Sequence, residues 1–210
     1  MHKNNYKVNE NEYCFIHIPK SGGTTFNFYL NHFNIKMATD STLHQPVNNK
    51  YLNEEIVEKY KFITIIRNPI NRCYSYYQMV KRSPNNYPHK KYSNNLENFM
   101  KNCWEVNNMA TLYYAGIDCS KLQIINVNDD IYNMAINNLK NFYYIIDFNN
   151  LENGLINFFK KINKEIIEIN INKRYHNYNK NINENDIELI SKYNYYDIKL
   201  YNFIINYLKI

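Results

Sequence analysis

Short apolar runs alternate with longer amphipathic segments along this chain. The runs at 13–18, 61–67 and 142–147 are rich in Ile, Phe and Tyr and predict buried strands. Apolar residues at helical spacing predict helices between and after these runs. The predicted helices cover 24–34, 54–60, 69–80, 96–106, 129–141, 150–162 and the segment from 184 onward. Strands that alternate with helices indicate an α/β fold, with a three-layer arrangement in which helices cover both faces of a parallel sheet.

One domain accounts for most of the chain. The polar residues 1–12 predict a flexible N-terminal tail, and residues 13–210 contain neither an internal repeat nor a linker that would separate two cores. Residues 81–95 are polar, contain two prolines and predict an exposed loop. Its basic side chains, which form either a solvated surface or a contact for an acidic polysaccharide, are Lys81, Arg82, Lys90 and Lys91.

Composition narrows the classes of ligand and source. Asparagine makes up about a fifth of the chain, against a few per cent in ordinary proteins. Because Asn, Ile, Lys and Tyr all have A/T-rich codons, the bias indicates an A/T-rich genome, such as that of a virus or a parasite. The net charge of +6 and the pI of 8.9 favour anionic ligands such as nucleotides or acidic sugars. This charge is too weak to predict a nucleic-acid partner.

The four cysteines show no C-x-x-C spacing, so we expect neither a metal site nor a disulfide framework. The polar N-terminus lacks the apolar segment of a signal peptide. No apolar stretch reaches the length of about 18 residues that a membrane-spanning helix requires. These features predict a soluble, cytoplasmic chain with no membrane span.

A first candidate site follows the first predicted strand, where residues 17–25 have the sequence H-I-P-K-S-G-G-T-T. Two glycines at the start of a helix let backbone N–H groups approach a phosphate, and the helix dipole favours negative charge there. The spacing differs from G-x-x-x-x-G-K-[ST], so this is not an ordinary P-loop. The alternative is a glycine turn beside a surface lysine. The candidate phosphate-binding residues are Lys20, Ser21, Gly22, Gly23, Thr24 and Thr25.

A second candidate site follows the second predicted strand, in the sequence R-N-P-I-N-R-C-Y-S-Y-Y of residues 67–77. Ligands of open α/β sheets bind at the carboxyl ends of the strands, which is where Arg67 lies. Ser75, on the second turn of the next helix, can add a hydroxyl, and together they can hold a second phosphate. A structural salt bridge is the alternative for Arg67, and Arg72 can pair with an acidic neighbour.

The pair of motifs resembles the carbohydrate sulfotransferase superfamily, and is most similar to the branch of heparan 2-O-sulfotransferases and related bacterial and viral enzymes. The strong similarity covers 13–77, and weaker similarity extends to 108–116 and 197–201. The resemblance implies a sulfotransferase fold similar to that of P-loop kinases. It also implies that the first motif binds the 5′-phosphosulfate of 3′-phosphoadenosine-5′-phosphosulfate (PAPS) and that Arg67 with Ser75 binds its 3′-phosphate. The family often has a Glu after its third strand, where this chain has Asp147.

Relatives that this chain resembles carry a His between the two motifs, and His44 occupies that position. An imidazole with a pKa near neutrality suits the removal of a proton from an attacking sugar hydroxyl. A solvated loop histidine is the alternative interpretation, and His176 is the second candidate for the base. We interpret His17 as a structural residue at a strand end, and His2 and His89 as solvated.

These assignments predict an enzyme that transfers a sulfuryl group from PAPS in line to a carbohydrate hydroxyl. His44 would act as base, and Lys20 would stabilise the leaving 5′-phosphate. A sulfuryl group carries less charge than a phosphoryl group, so no metal is expected. A nucleotide-dependent phosphotransferase, a non-catalytic nucleotide- or glycan-binding relative, and a protein-tyrosine acceptor are the alternatives.

Overall fold

Three parallel strands form one sheet in the computed structural model, which describes residues 13–37, 60–117, 119, 124–166 and 182–208. The strands are β1 (Tyr13–Ile16), β2 (Lys61–Ile66) and β3 (Tyr144–Asp147), and β2 lies between the other two. Ile16 pairs with Thr64, and Ile66 pairs with Asp147. All three carboxyl ends therefore point to one edge, and the prediction of a parallel α/β sheet is confirmed. The sulfotransferase fold and its likeness to P-loop kinases stay predictions.

The helices follow the predicted pattern with shifted ends. They are α1 (Gly23–His32), α2 (Pro69–Arg82), α3 (Leu96–Asn102), α4 (Met109–Tyr114), α5 (Asp129–Lys140), α6 (Leu151–Lys161), α7 (Glu184–Tyr193) and α8 (Tyr195–Leu208). The segment predicted as one helix at 96–106 is interrupted at Cys103, which is extended. Asn194 likewise separates α7 from α8. Across the described ranges, none of the helices combines the length and the apolar character that a membrane crossing needs. The helix predicted at 54–60 lies outside the described residues.

Side chains of alternate strand residues reach opposite faces of the sheet, and each face has its own apolar core. Ile16 and Ile66 pack with α4, α5 and α8 on one face. Phe15 and Ile65 pack with α1 and α6 on the other. Burying an apolar side chain of this size contributes roughly 1.5–3 kcal/mol. Helices therefore cover both faces and hold the sheet's carboxyl edge in place.

Four asparagines cap the starts of helices with their side chains. The Asn68 side chain accepts hydrogen bonds from the backbone N–H groups of Ile70 and Asn71, and Pro69 occupies the first helical position of α2. Equivalent side-chain caps begin three further helices. The capping residues are Asn95, Asn128 and Asn183. An amide side chain satisfies an N–H group that the helix itself leaves unpaired.

A reciprocal exchange of hydrogen bonds joins α4 to α8. The Asn108 side chain accepts from the backbone N–H groups of Tyr196 and Asp197, at 2.9 and 3.1 Å. In return, the Asp197 carboxylate accepts from the N–H groups of Ala110 and Thr111 and from the Thr111 hydroxyl. The segments 108–116 and 197–201 therefore stabilise each other.

A third apolar cluster lies among α2, α3 and α7. Tyr77 and Val80 of α2 pack there with Phe99 of α3 and Ile190 of α7. All four cysteines of the chain are buried thiols. Cys73 and Cys103 belong to this third cluster, so the cluster contains thiols as well as aromatic rings.

Candidate functional site

The chain leaves β1 and enters α1 through a tight loop at the carboxyl edge of the sheet. Lys20 and Gly22 both have left-handed backbone conformations, with φ of 66° and 91°. The Ser21 N–H donates to the Ile18 carbonyl at 3.3 Å and closes the turn. Gly22 is the N-cap of α1 and has no side chain to cap the helix. The first N–H groups of α1 therefore form an end that an anion can bind.

Both glycines of the loop are required by close packing. A Cβ atom at Gly23 would lie 2.0 Å from His17 Nε2, because the imidazole lies directly against the helix start. A Cβ at Gly22 would lie 3.2 Å from atoms of Phe148 and Leu151, besides the strain of its positive φ. The His17 ring is buried and stacks on Phe15 at 5.2 Å between centroids. This contact agrees with a structural role for His17.

Arg67 connects the second motif to the first through a hydrogen bond. It follows the last residue of β2, and its Nη1 donates to the Lys20 carbonyl at 2.7 Å. Its guanidinium lies 4.3 Å from the centroid of the Phe148 ring, which comes directly after β3. Residues that follow all three strands therefore meet at one place. The Arg67 hydrogen bond also supports the left-handed conformation of Lys20, which a non-glycine residue rarely adopts.

Positive charge concentrates around this loop. Lys20 is half-buried, and its Nζ lies 3.8 Å from Met79 Sδ on α2. Burial lowers the pKa of Lys20, and the nearby charges of Arg67 and Arg82 lower it further. Arg82 lies in the last turn of α2, which extends two residues beyond the predicted end. Three cations that repel one another make this a site where a bound anion would be stabilised.

The remaining predicted residues lie on the two adjoining helices. Ser21 is buried in the loop, whereas Thr24 is exposed and Thr25 half-buried in the first turn of α1. Ser75 is buried in the second turn of α2, the helix that starts two residues after Arg67. The structure thus brings the loop and Arg67 into contact, while phosphate binding by Ser75 stays a prediction.

A narrow cleft adjoins the loop and has room for about one or two water molecules. Polar groups of Ser21 and Arg67 lie at its wall together with the hydroxyl-bearing Tyr201 of α8. Its apolar lining consists of Ile18, Ile65, Ile66, Pro69, Leu200 and Ile204.

Arg72, in the second motif, has a structural role. Its Nη2 lies 3.6 Å from Asp197 Oδ2, and the two side chains are only 2% and 0% exposed. Its Nη1 also donates to the Glu105 carbonyl at 2.9 Å. Arg72 therefore has the acidic partner that the sequence left open. The ion pair joins α2 to α8 beneath the cleft.

Asp147 is buried at the end of β3. Its carboxylate accepts a hydrogen bond from the Asn149 N–H at 3.1 Å and caps a short 3₁₀ turn. Asn149 Nδ2 in turn donates to the Tyr201 hydroxyl at 3.0 Å. Burial, followed by the Asp147 charge, raises the pKa of Tyr201. Asp147 therefore has a local structural role beside the cleft.

Sequence reasoning did not assign Phe148, Arg82 or Tyr201 to the site. The available signal for Phe148 was its position directly after the third strand, by analogy with Arg67. The two candidate bases, His44 and His176, lie outside the described residues. The prediction that His89 is solvated is wrong: its side chain is 13% exposed and its Nε2 lies 2.8 Å from Glu105 Oε2. Hydrogen bonding to a half-buried carboxylate keeps this imidazole out of the solvent.

Comparisons with known proteins leave the family open. Neither protein-family models nor curated proteins show a match to this chain. The case for a function therefore depends on the motifs and on the contact between Arg67 and the Lys20 loop.

Proposed function

We propose that this chain is a sulfotransferase that uses PAPS to sulfate a hydroxyl group of a carbohydrate. The observation that carries the proposal is the hydrogen bond of 2.7 Å between Arg67 and the Lys20 carbonyl. It joins the residues that follow two parallel strands, and these are the two motifs that resemble those of sulfotransferases. Two anion-binding elements in contact suit a nucleotide that carries an anionic group at each end.

The loop and α1 would bind the 5′-phosphosulfate. Backbone N–H groups at a helix start donate to phosphate oxygens, and the helix dipole adds to the attraction. Lys20 supplies a full positive charge at the same place. Arg67, with Ser75, would bind the 3′-phosphate, because a guanidinium forms strong paired hydrogen bonds to phosphate oxygens.

The reaction would be an in-line displacement at sulfur. A bond forms from the acceptor oxygen to sulfur while the bond from sulfur to the 5′-phosphate oxygen breaks. Lys20 stabilises the charge that develops on the leaving phosphate, and a preorganised cation does so without the cost of reorganising solvent. The acceptor proton passes to a base, for which His44 and then His176 are the candidates. The products are a sulfate ester and adenosine 3′,5′-bisphosphate.

Thermal melting with nucleotides tests the binding step. A ligand at 100 times its Kd stabilises a protein by about 2.7 kcal/mol, which corresponds to roughly 5–11 °C for a chain of this size. We expect adenosine 3′,5′-bisphosphate to give such a shift and AMP a far smaller one. Equal stabilisation by ATP with magnesium would instead favour a nucleotide-dependent phosphotransferase.

The variant Arg67→Ala tests whether Arg67 binds the 3′-phosphate. Loss of a charge-assisted hydrogen bond costs about 1.5–3 kcal/mol, so bisphosphate affinity should fall at least about tenfold. Lys101→Ala, which removes an exposed cation paired with Glu97, serves as control and should bind normally. Unchanged affinity of Arg67→Ala in calorimetry would contradict the assignment of the 3′-phosphate.

Incubation with sulfur-labelled PAPS and a panel of carbohydrate and tyrosine-peptide acceptors tests the chemistry. Transfer of label to a carbohydrate would support the proposal. Transfer to tyrosine alone would change the acceptor class. Tight binding of the bisphosphate with no transfer to any acceptor would favour a non-catalytic relative.

A further inference from the structure

A second group of reactive side chains lies where the loop after α2 meets the end of α3. His89 comes from the loop, and Cys103 and Glu105 follow α3. His89 Nε2 lies 2.8 Å from Glu105 Oε2, and Cys103 Sγ lies 3.2 Å from the same oxygen. The three donor atoms all lie within 4.8 Å of one another. An imidazole nitrogen, a thiol sulfur and a carboxylate oxygen thus converge on one point.

We propose that His89, Cys103 and Glu105 form a binding site for a zinc ion. Zinc binds these three donor types with bond lengths of about 2.0–2.3 Å, so donors in a tetrahedral site lie roughly 3.3–3.6 Å apart. Two of the donor separations here, 2.8 and 3.2 Å, are set by hydrogen bonds to one carboxylate oxygen. A metal ion would replace the protons in these two hydrogen bonds. Small side-chain movements would then lengthen the donor separations to those of a tetrahedral site.

Charge favours this ion. A thiolate and a carboxylate together neutralise a divalent cation, while a neutral imidazole completes the set without adding charge. Cys103 is fully buried, and the side chains of His89 and Glu105 are 13% and 12% exposed. A neutral complex suits such a place, since an uncompensated charge there would be costly. Sulfur among the donors favours zinc over magnesium or calcium.

The surroundings hold the donors in orientation. The Tyr76 hydroxyl of α2 donates to Glu105 Oε1 at 3.0 Å, which leaves Oε2 directed at His89 and Cys103. Partners of this kind, behind a ligating carboxylate, orient metal ligands in established sites. His89 has a left-handed backbone with φ of 62°, which is uncommon outside glycine. That conformation directs its side chain inward from the loop.

This site goes beyond the proposed sulfotransfer and does not depend on it. Its ligands belong to the region of α2 and α3, whereas the anion-binding loop follows β1. A metal there would tie the loop of residues 83–95, with the basic Lys90 and Lys91, to the end of α3. With three protein ligands, a water molecule would complete the tetrahedron, and the ion would hold the basic surface in a defined position.

Zinc binding by the purified full-length chain, without an affinity tag, tests the proposal. After treatment with a chelator and dialysis against zinc, we expect one zinc per chain. Cobalt substituted for zinc should show the charge-transfer absorption of a thiolate ligand. Tyr76→Phe should weaken zinc affinity by the 10–100-fold typical of an outer partner, and Cys103→Ser should weaken it more and remove the thiolate absorption.

Two controls make the result specific. Cys119→Ser removes a buried thiol outside the cluster, and His32→Ala removes an exposed imidazole on α1. Both should bind zinc normally. If Cys103→Ser fails to fold by circular dichroism, His89→Ala on the loop provides the second ligand variant. Binding far below one zinc per chain, or unchanged affinity in His89→Ala, would overturn the proposal and leave a metal-free hydrogen-bonded cluster.

Discussion

The positive charge of Lys20 suits anion binding but destabilises the ligand-free protein. Burial and the charges of Arg67 and Arg82 lower its pKa, so folding disfavours its protonated form. At neutral pH the residue is still protonated and this cost is present. The cost disappears as the pH rises through the folded-state pKa towards the unfolded value near 10.4, so stability should rise with pH in that window. A bound anion would offset the same cost at neutral pH.

Lys20→Met should therefore raise the melting temperature of the ligand-free protein at pH 7. Methionine keeps the apolar stem beside Met79 and removes the charge. Because solvent screens the half-exposed ammonium, the gain should stay within about 1 kcal/mol, or roughly 1–4 °C. The same variant should lose most of the stabilisation by adenosine 3′,5′-bisphosphate. Lys101→Met should change neither quantity, and a melting temperature below that of the wild type would contradict the account.

At the scale of elements, the turn from β1 into α1 depends on the contact between Gly23 and His17. Gly23→Ala places a methyl group 2.0 Å from His17 Nε2, so the imidazole must move out of a packed position. Alanine favours a helix by up to about 1 kcal/mol over glycine, but overpacking costs roughly 1–3 kcal/mol. We expect net destabilisation, measured as a lower midpoint of urea unfolding, together with weaker bisphosphate binding.

The double variant His17→Ala/Gly23→Ala identifies the cause. With the imidazole absent, the added methyl group has space, so Gly23→Ala should cost much less in the His17→Ala background. A double-mutant cycle from four urea unfolding curves measures this coupling. Additive costs would mean that Gly23 is needed for a reason other than its closeness to His17.

At the scale of the whole molecule, Asp197 connects three helices. It caps α4 through three hydrogen bonds, belongs to α8 and pairs with Arg72 of α2. Asp197→Asn keeps the shape but leaves the buried guanidinium without its counter-charge. Breaking one partner of a buried pair costs about 3–5 kcal/mol, so the urea midpoint should fall strongly. Asp129→Asn, whose carboxylate pairs with Lys199 on the surface, should leave the midpoint unchanged. If both variants lowered the urea midpoint equally, the buried ion pair would stabilise the protein no more than the surface pair does.

The amino-acid sequence by itself determined the parallel α/β sheet, most of its helices and the presence of a glycine loop between the first strand and the first helix. These features depend on local patterns: apolar runs of strand length, helical spacing, and Pro69 or glycine at element starts. Element ends were less well determined, because Cys103 and Asn194 interrupt segments whose apolar spacing continues through them. The carboxyl edge followed from the order of elements, since parallel strands all end there.

Tertiary structure alone decided which distant residues touch. Arg67 meets the Lys20 carbonyl across 47 positions, and Asn194 meets Cys73 across 121. The position of Phe148 after the third strand places it at the same edge as Arg67, but only packing shows that its ring lies beneath the guanidinium. Nothing in the local sequence marks His89 as a neighbour of Cys103 and Glu105. Periodicity predicts which face of an element is buried. The partner on that face is decided only when helices and strands pack, because a contact depends on the positions of both elements at once.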